Sequence, residues 1–336
     1  MSEIKNIDSL MNYMKDTHNI EIDREMHKNN LRNMGYYHGF KGYRFIKDSK
    51  NTLNFSNFNE IMAMNKLDLD LKSIIYPKIM FIETSIKNRV LESVLEDCKK
   101  SDFNSIYEQV LIGYKDYKRH KPKDKENKAY KSKLTQRLRL RDQILSALTR
   151  EFSKNRKVIE HFYIKEVHVP IWAIFEIITM GELGNFIACL KTDLRKDISR
   201  DIKLNKTVDT DGVLLQTVVF LLKDLRNAVA HNNIIFDTRF KTGEVNQQLG
   251  QALIYDVKID YNHTDKIFEN IFDYIVLIVY LLKGLGMPNG ELNRFICDFK
   301  SIIEEFRGNI NISIYNKIFR SSTKKRIELL RNFVNN

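Results

Sequence analysis

Leu221-Leu222-Lys223-Asp224-Leu225-Arg226-Asn227-Ala228-Val229-Ala230-His231-Asn232-Asn233 reads as an apolar helix that ends in polar chemistry. Leu221, Leu222, Leu225 and Val229 recur at helical spacing, and Ala228 and Ala230 are small enough for close packing. Asn232-Asn233 supplies the stop, because asparagine tolerates the left-handed backbone that ends helices. The pattern predicts a helix over residues 211–230. On it Asn227 and His231 lie four apart and share a face, with Arg226 beside Asn227. Arginine is a permanent, forked cation that suits a phosphate, and histidine is the side chain that moves protons near neutral pH. Those are the tools for cleaving a phosphodiester without a metal. The spacing alone is weak, since Arg32…His38 and Arg156…His161 nearly repeat it. Context separates the third match: Lys157 to Glu160 reads as an ordinary surface helix, and Gly35 interrupts the first.

Working outward, nearly the whole chain reads as helix, and the fold class is all-α. Short amphipathic helices are expected at 7–15 and 24–34, followed by an aromatic- and glycine-rich turn at 36–43. From Phe58 to about Asp97 apolar residues recur at helical spacing, with Ile75, Ile79, Ile82, Ile86 and Val90 on one stripe. Pro77 is expected to start or kink a second helix there. Glu83 and Lys87, four apart, read as an ion pair on a solvated face, with a supporting role beside the Arg226–His231 cluster as the alternative. Helices follow at 106–112, 135–152, 171–180 (with Trp172 in the core) and 183–190. Past His231, residues 235–240 and 255–260 show partial period-two alternation, which leaves room for one small β-hairpin. Helical periodicity returns at 264–283, 291–306 and 321–336. The expected organisation is one domain over 1–245, with a basic loop at 115–133, and a helical C-terminal extension over 246–336.

Charge is concentrated. Twelve Lys and Arg stand against three acids between Lys115 and Arg141, which accounts for nine of the chain's +12 net charges. Lys118, Arg119 and Lys121 lie in a stretch without apolar periodicity; Lys131, Lys133, Arg137, Arg139 and Arg141 lead into a helix. Tyr114, Tyr117 and Tyr130 are interleaved. Such a pattern suits a phosphate backbone with occasional base stacking, so these eight cations are candidate RNA-binding residues. The competing reading is a solvated lysine-rich loop.

Cys98, Cys189 and Cys297 are odd in number and widely spaced, which argues against disulfides or zinc and for buried thiols in a reducing compartment. No signal-peptide core opens the chain, and the longest apolar run, residues 274–282, is too short to span a bilayer. A cytoplasmic protein without membrane attachment is expected, with neither metal nor cofactor.

Four ordered segments resemble a known family. Leu225-Arg226-Asn227-Ala228-Val229-Ala230-His231-Asn232 resembles the Arg-Asn-x-x-x-His signature of HEPN ribonucleases. Leu31 through Tyr43, with Tyr36-Tyr37 and Gly42-Tyr43, resembles the entry segment of bacterial abortive-infection (Abi) proteins of the AbiD/AbiF type, which carry a HEPN core. Ile82-Glu83 through Lys87 resembles that family's Ile-Glu-x-x-x-Arg helix, and Pro170-Ile171-Trp172 through Glu176 and Gly181 its Pro-x-Trp…Glu…Gly helix. The resemblance spans about residues 8–240. Lys87 departs from it, standing where the family pattern often has Arg, while Arg89 falls two residues later, off that face.

The resemblance implies a HEPN-like helical bundle and a metal-independent endoribonuclease, with Arg226, Asn227 and His231 catalytic. RNA brings its own nucleophile, the 2′-hydroxyl, so products would carry 2′,3′-cyclic phosphate and 5′-hydroxyl ends. It also implies an anti-phage toxin role, a homodimer placing two motifs face to face, and a neighbouring antitoxin such as a small structured RNA. Two alternatives stay open. One is a non-catalytic RNA-binding protein using the bundle and basic loop as a platform; the other is a protein-interacting regulator.

Overall fold

The computed structural model describes residues 6–117, 124–243, 245, 247–259 and 267–336. They fold as helices throughout: α1 (Ile7–His18), α2 (Arg24–Met34), a π-helical turn (Tyr36–Lys41), α3 (Phe58–Cys98), α4 (Phe103–Gln109), a 3₁₀ turn (Gly113–Tyr117), α5 (Asp124–Ser153), α6 (Lys157–Ile164), α7 (Ile171–Ile177) and α8 (Met180–Cys189). Then come α9 (Thr192–Asp201), α10 (Val213–Ala230), α11 (Gln247–Val257), α12 (Ile271–Gly284), α13 (Asn289–Gly308), α14 (Ile312–Ile318) and α15 (Thr323–Asn335). Among the described residues β pairing is limited to three isolated bridges.

The expected hairpin does not form. Tyr255 to Val257 belong to α11, and residues 235–240 run as an irregular segment. Side chains take the backbone bonds that a partner strand would have made. Asp68 accepts from the amides of Ile235 (2.8 Å) and Phe236 (3.3 Å), and Asp237 accepts from the amide of Lys47 at 2.6 Å. Arg239 then donates to the carbonyls of Gly42 (2.9 Å) and Phe45 (2.7 Å), tying the segment to the N-terminal turn.

Helix α3 organises the molecule. At 41 residues it is about 60 Å long, and its buried stripe runs unbroken from Ile61 through Leu71, Ile75, Ile79, Ile82 and Ile86 to Val94. Pro77 therefore neither starts a helix nor ends one. Both Pro77 and Ser73, whose carbonyl loses its amide partner to the proline, are exposed, so water can satisfy that group while the packed stripe continues on the other side. Against α3 lie α10, α12 and α13. Helix α12 is buried on every face from Ile271 to Leu282, as expected of a helix that is apolar all round and central.

The C-terminal helices share this core rather than forming a separate one, since a single cluster of buried residues extends from Met11 to Val334. Glu60 at the start of α3 accepts from the amide of Asn311 (3.1 Å), and buried Asp273 on α12 holds Arg326 of α15 at 2.8 Å. Burial pushes the Asp273 carboxyl up, against the pull of Arg326. Trp172, expected in the core, is exposed at the surface and meets Phe162 edge-on at 5.5 Å. Its neighbours Ile171, Ala173 and Ile174 fill the core instead, one helical face over. No described helix is long and apolar enough to cross a membrane.

Candidate active site

The site is assembled at the C-terminal end of α10. That helix packs closely on α8, where Gly184 leaves room for the Phe220 ring; a Cβ there would lie 2.9 Å from it. The helix ends in a Schellman turn. Asn232 adopts a left-handed conformation (φ 54°), its amide donates to Val229 O at 3.1 Å, and the Asn233 amide donates to Ala228 O at 2.8 Å. The expected asparagine stop is thus present. His231 caps the helix and is exposed, while Arg226 and Asn227, inside the last turns, are half-buried.

Two places on α3 hold this end of α10, and they are eleven residues apart, close to three full turns, so they share a face. At the first, Glu83 is buried and faces two cations. Lys87 Nζ is 3.3 Å from one carboxylate oxygen and Arg226 Nε 3.7 Å from the other. The Glu83–Lys87 pair, expected on a solvated face, is therefore buried against the motif helix. Two cations share one anion here, which leaves a net positive charge at the Arg226 end of the motif. At the second place, Lys72 donates to Asn232 Oδ1 at 2.8 Å and pairs with fully buried Asp68 at 2.5 Å. Because Arg226 meets residue 83 and Asn232 meets residue 72, the motif runs antiparallel to α3.

Lys87 also donates to the carbonyl of Ile178 at 2.8 Å. That carbonyl is available because α7 and α8 are separate helices. The Thr179 hydroxyl accepts from the Glu182 amide (3.2 Å) and the Glu182 carboxylate from the Thr179 amide (2.7 Å), a capping box that starts α8 and forces Ile178 into an extended conformation. Lysine here satisfies Glu83 where the resembled pattern often has arginine. Arg89 is bound elsewhere, to Asp201. Beyond the motif, Asp224 accepts from the Thr242 amide (3.0 Å) and hydroxyl (2.6 Å), closing the following segment back onto α10.

The candidate RNA-binding cations divide. Lys118, Arg119 and Lys121 lie outside the described residues. Lys131, Arg139 and Arg141 are exposed along α5, and Lys131 and Arg139 line a cavity of about 590 Å³ with Thr135, Gln136 and Asn185. Lys133 is half-buried, and burial pulls its ammonium pKa down. Arg137 turns inward: it donates to the carbonyls of Leu111 (2.8 Å) and Tyr107 (2.6 Å) and lies 3.6 Å over the Tyr107 ring. Its role in the described structure is to clamp α5 to α4. Helix α8 packs against both α5 and α10.

Asp68, Lys72, Asp224 and His38 are the residues of this region that sequence reasoning did not find. An i,i+4 Asp–Lys pair looks the same in sequence whether it is solvated or buried; only the apolar positions flanking Asp68 and Lys72 (Leu67 and Leu71) hint at burial. His38 lies edge-on to Tyr43, and its pKa is lowered from its ordinary 6.5 by burial and by the Lys72 charge. Between the lowered value and 6.5 the unfolded chain binds the proton and the folded one resists it. His38 therefore gives stability that is complete above pH 6.5 and falls as pH drops through that window. Urea titrations across the window are expected to show a shallower decline in His38→Gln than in the parent protein.

The fold is all-α, and a comparison with family models narrows the class. The model of the Abi-like protein family matches residues 29–237, well over half of the chain, and the chain belongs to that family. The matched region starts within α2 and ends at Asp237, so it contains the end of α10 and the α3 residues that hold it; α11 to α15 lie beyond it. Searches of the curated proteins and of the solved structures return no match.

Proposed function

We propose that this protein is a metal-independent endoribonuclease of the HEPN type that acts in abortive-infection defence. The observation that carries the reading is the anchored end of α10. Arg226 is held at Glu83 beside an uncompensated positive charge, while His231 stands exposed in the C-cap with Asn227 one turn behind it. In the proposed reaction the RNA 2′-hydroxyl attacks the adjacent phosphorus. His231 takes or gives the proton, and Arg226 meets the negative charge that develops on the phosphoryl oxygens. The P–O5′ bond breaks, leaving a 2′,3′-cyclic phosphate and a 5′-hydroxyl. Asn227 would orient the imidazole or the phosphate.

One motif per chain supports a twofold dimer with a composite site. Met80 and Phe81, exposed within one turn of Glu83, give a second copy apolar surface to cover. An RNA antitoxin on the basic face of α5 is part of the same reading. The test is expression in bacteria without neighbouring genes, with growth followed and RNA 5′-hydroxyl ends sequenced. Growth arrest with new ends is expected. A second reading, an RNA-binding platform, draws on Lys131 and Arg139 around their polar cavity. RNA binding without new ends, lost on charge reversal at those two residues and with a shallower salt dependence, would favour it.

A further inference from the structure

A cavity of about 800 Å³ opens beside the motif, and Asn232, the residue after His231, forms part of its wall. Its volume falls in the range that takes a small organic ligand. Met34, Met62, Leu69 and Phe306 give it an apolar floor between α2, α3 and α13.

Asparagines form the rim, and several have their amides fixed by bonds made elsewhere. Asn232 accepts from Lys72 (2.8 Å) and Asn65 from the Tyr43 hydroxyl (3.2 Å). His27 Nδ1 accepts from the Asp23 amide (3.1 Å), so its Nε2 carries the hydrogen and donates to Asn59 Oδ1 (3.2 Å). In these three the oxygen is engaged, and the amide NH₂ is left as donor. Asn309 is the reverse: its NH₂ donates to Glu305 O (2.8 Å), leaving its oxygen as acceptor. The rim thus presents donors and an acceptor in set orientations around an apolar floor.

Charge decides what fits. Lys66, the one lysine of the wall, lies between Asp70 (2.5 Å) and Glu305 (3.3 Å), so its ammonium is more than neutralised and the cavity does not favour a phosphate. Positive charge sits instead at Arg226 and Lys87. A nucleic-acid strand divides in the same way, with anionic backbone and neutral, planar, hydrogen-bonding bases. Asparagine amides pair with base edges, and apolar side chains take base faces.

We propose that this cavity is a nucleobase subsite that takes one base of an RNA strand whose phosphates cross the Arg226–His231 end of α10. It would set which nucleotide lies next to the cut. The proposal rests on the ribonuclease reading for its strand path, but it is tested without cleavage. Short RNAs carrying 4-thiouridine or 6-thioguanosine are photo-crosslinked to the full chain, and the modified peptides are mapped by mass spectrometry. Two variants accompany the parent: Ala63→Phe, which fills the cavity, and Asn33→Ala, an exposed rim change that spares the core.

Crosslinks on α2 and the C-terminal end of α13, reduced about tenfold in folded Ala63→Phe and weakened in Asn33→Ala, are expected, since one well-made base contact is worth about that factor. Crosslinks confined to α5, none at all, or yields unchanged in both variants would overturn the subsite. Cleavage is scored in parallel. Cavity crosslinks without cutting would keep the subsite and remove the nuclease reading; cutting whose sequence preference is unmoved by Ala63→Phe would do the opposite.

Discussion

Replacing His231 or Arg226 by alanine is expected to abolish RNA cleavage and toxicity while leaving the protein folded. His231 is exposed and caps the helix through backbone bonds, so its side chain can be removed at a cost within about 0.5 kcal/mol. A general acid or base contributes on the order of 10²–10⁴ in rate. Arg226→Ala also leaves the fold intact, because Glu83 keeps Lys87 as its partner. Loss of one preorganised charge-stabilising donor lowers turnover by about 10²–10³. Because both groups would act on one phosphate, the double variant should be little worse than either single one. Rates on a labelled RNA, read beside circular dichroism and melting curves, check this. Unchanged cleavage in either folded variant would remove that residue from the chemistry.

The largest stability effect is expected at Asp68. This carboxylate is fully buried, receives the amides of Ile235 and Phe236, and pairs with Lys72, which in turn holds Asn232. Asp68→Ala would leave a buried ammonium unpaired and two amides unsatisfied, at a cost of about 3–5 kcal/mol. Removing both partners in Asp68→Leu/Lys72→Met should cost clearly less, because no buried charge remains, though the two amides still lose their acceptor. Chemical denaturation of the two variants beside the parent protein gives the comparison. A double variant as unstable as Asp68→Ala would show that the backbone bonds dominate over the lysine.

Much of this architecture was legible in the residues. The stripe from Ile75 to Val90, the asparagine stop at Asn232 and the apolar run ending at Leu282 are local patterns, and local patterns survive folding. Other features depend on what a residue meets far along the chain. Pro77 lies within α3 because the proline faces water, which periodicity does not report. Residues 235–240 look like a strand, yet Asp68, some 167 positions earlier, takes their amides. Trp172 looks like core until the register of α7 places Ile171 and Ala173 inward. At the site, Arg226, Asn227 and His231 could be picked out as one cluster because they are close in sequence. Glu83 and Lys87 could be seen as a pair, but their burial against Arg226 could not. Arg137 looked equivalent to Arg139 by charge; the carbonyls of Tyr107 and Leu111 make it different.

The central claim is that the end of α10 cuts RNA through the RNA's own 2′-hydroxyl. It is tested most directly with purified protein in EDTA, an RNA it cuts, and the same strand carrying a single 2′-deoxy nucleotide at the cut. Cleavage of the first to 2′,3′-cyclic phosphate and 5′-hydroxyl ends, abolished in the second and in His231→Ala, is the predicted result. Cleavage of the deoxy strand at the same bond, or activity that disappears with EDTA, would contradict it.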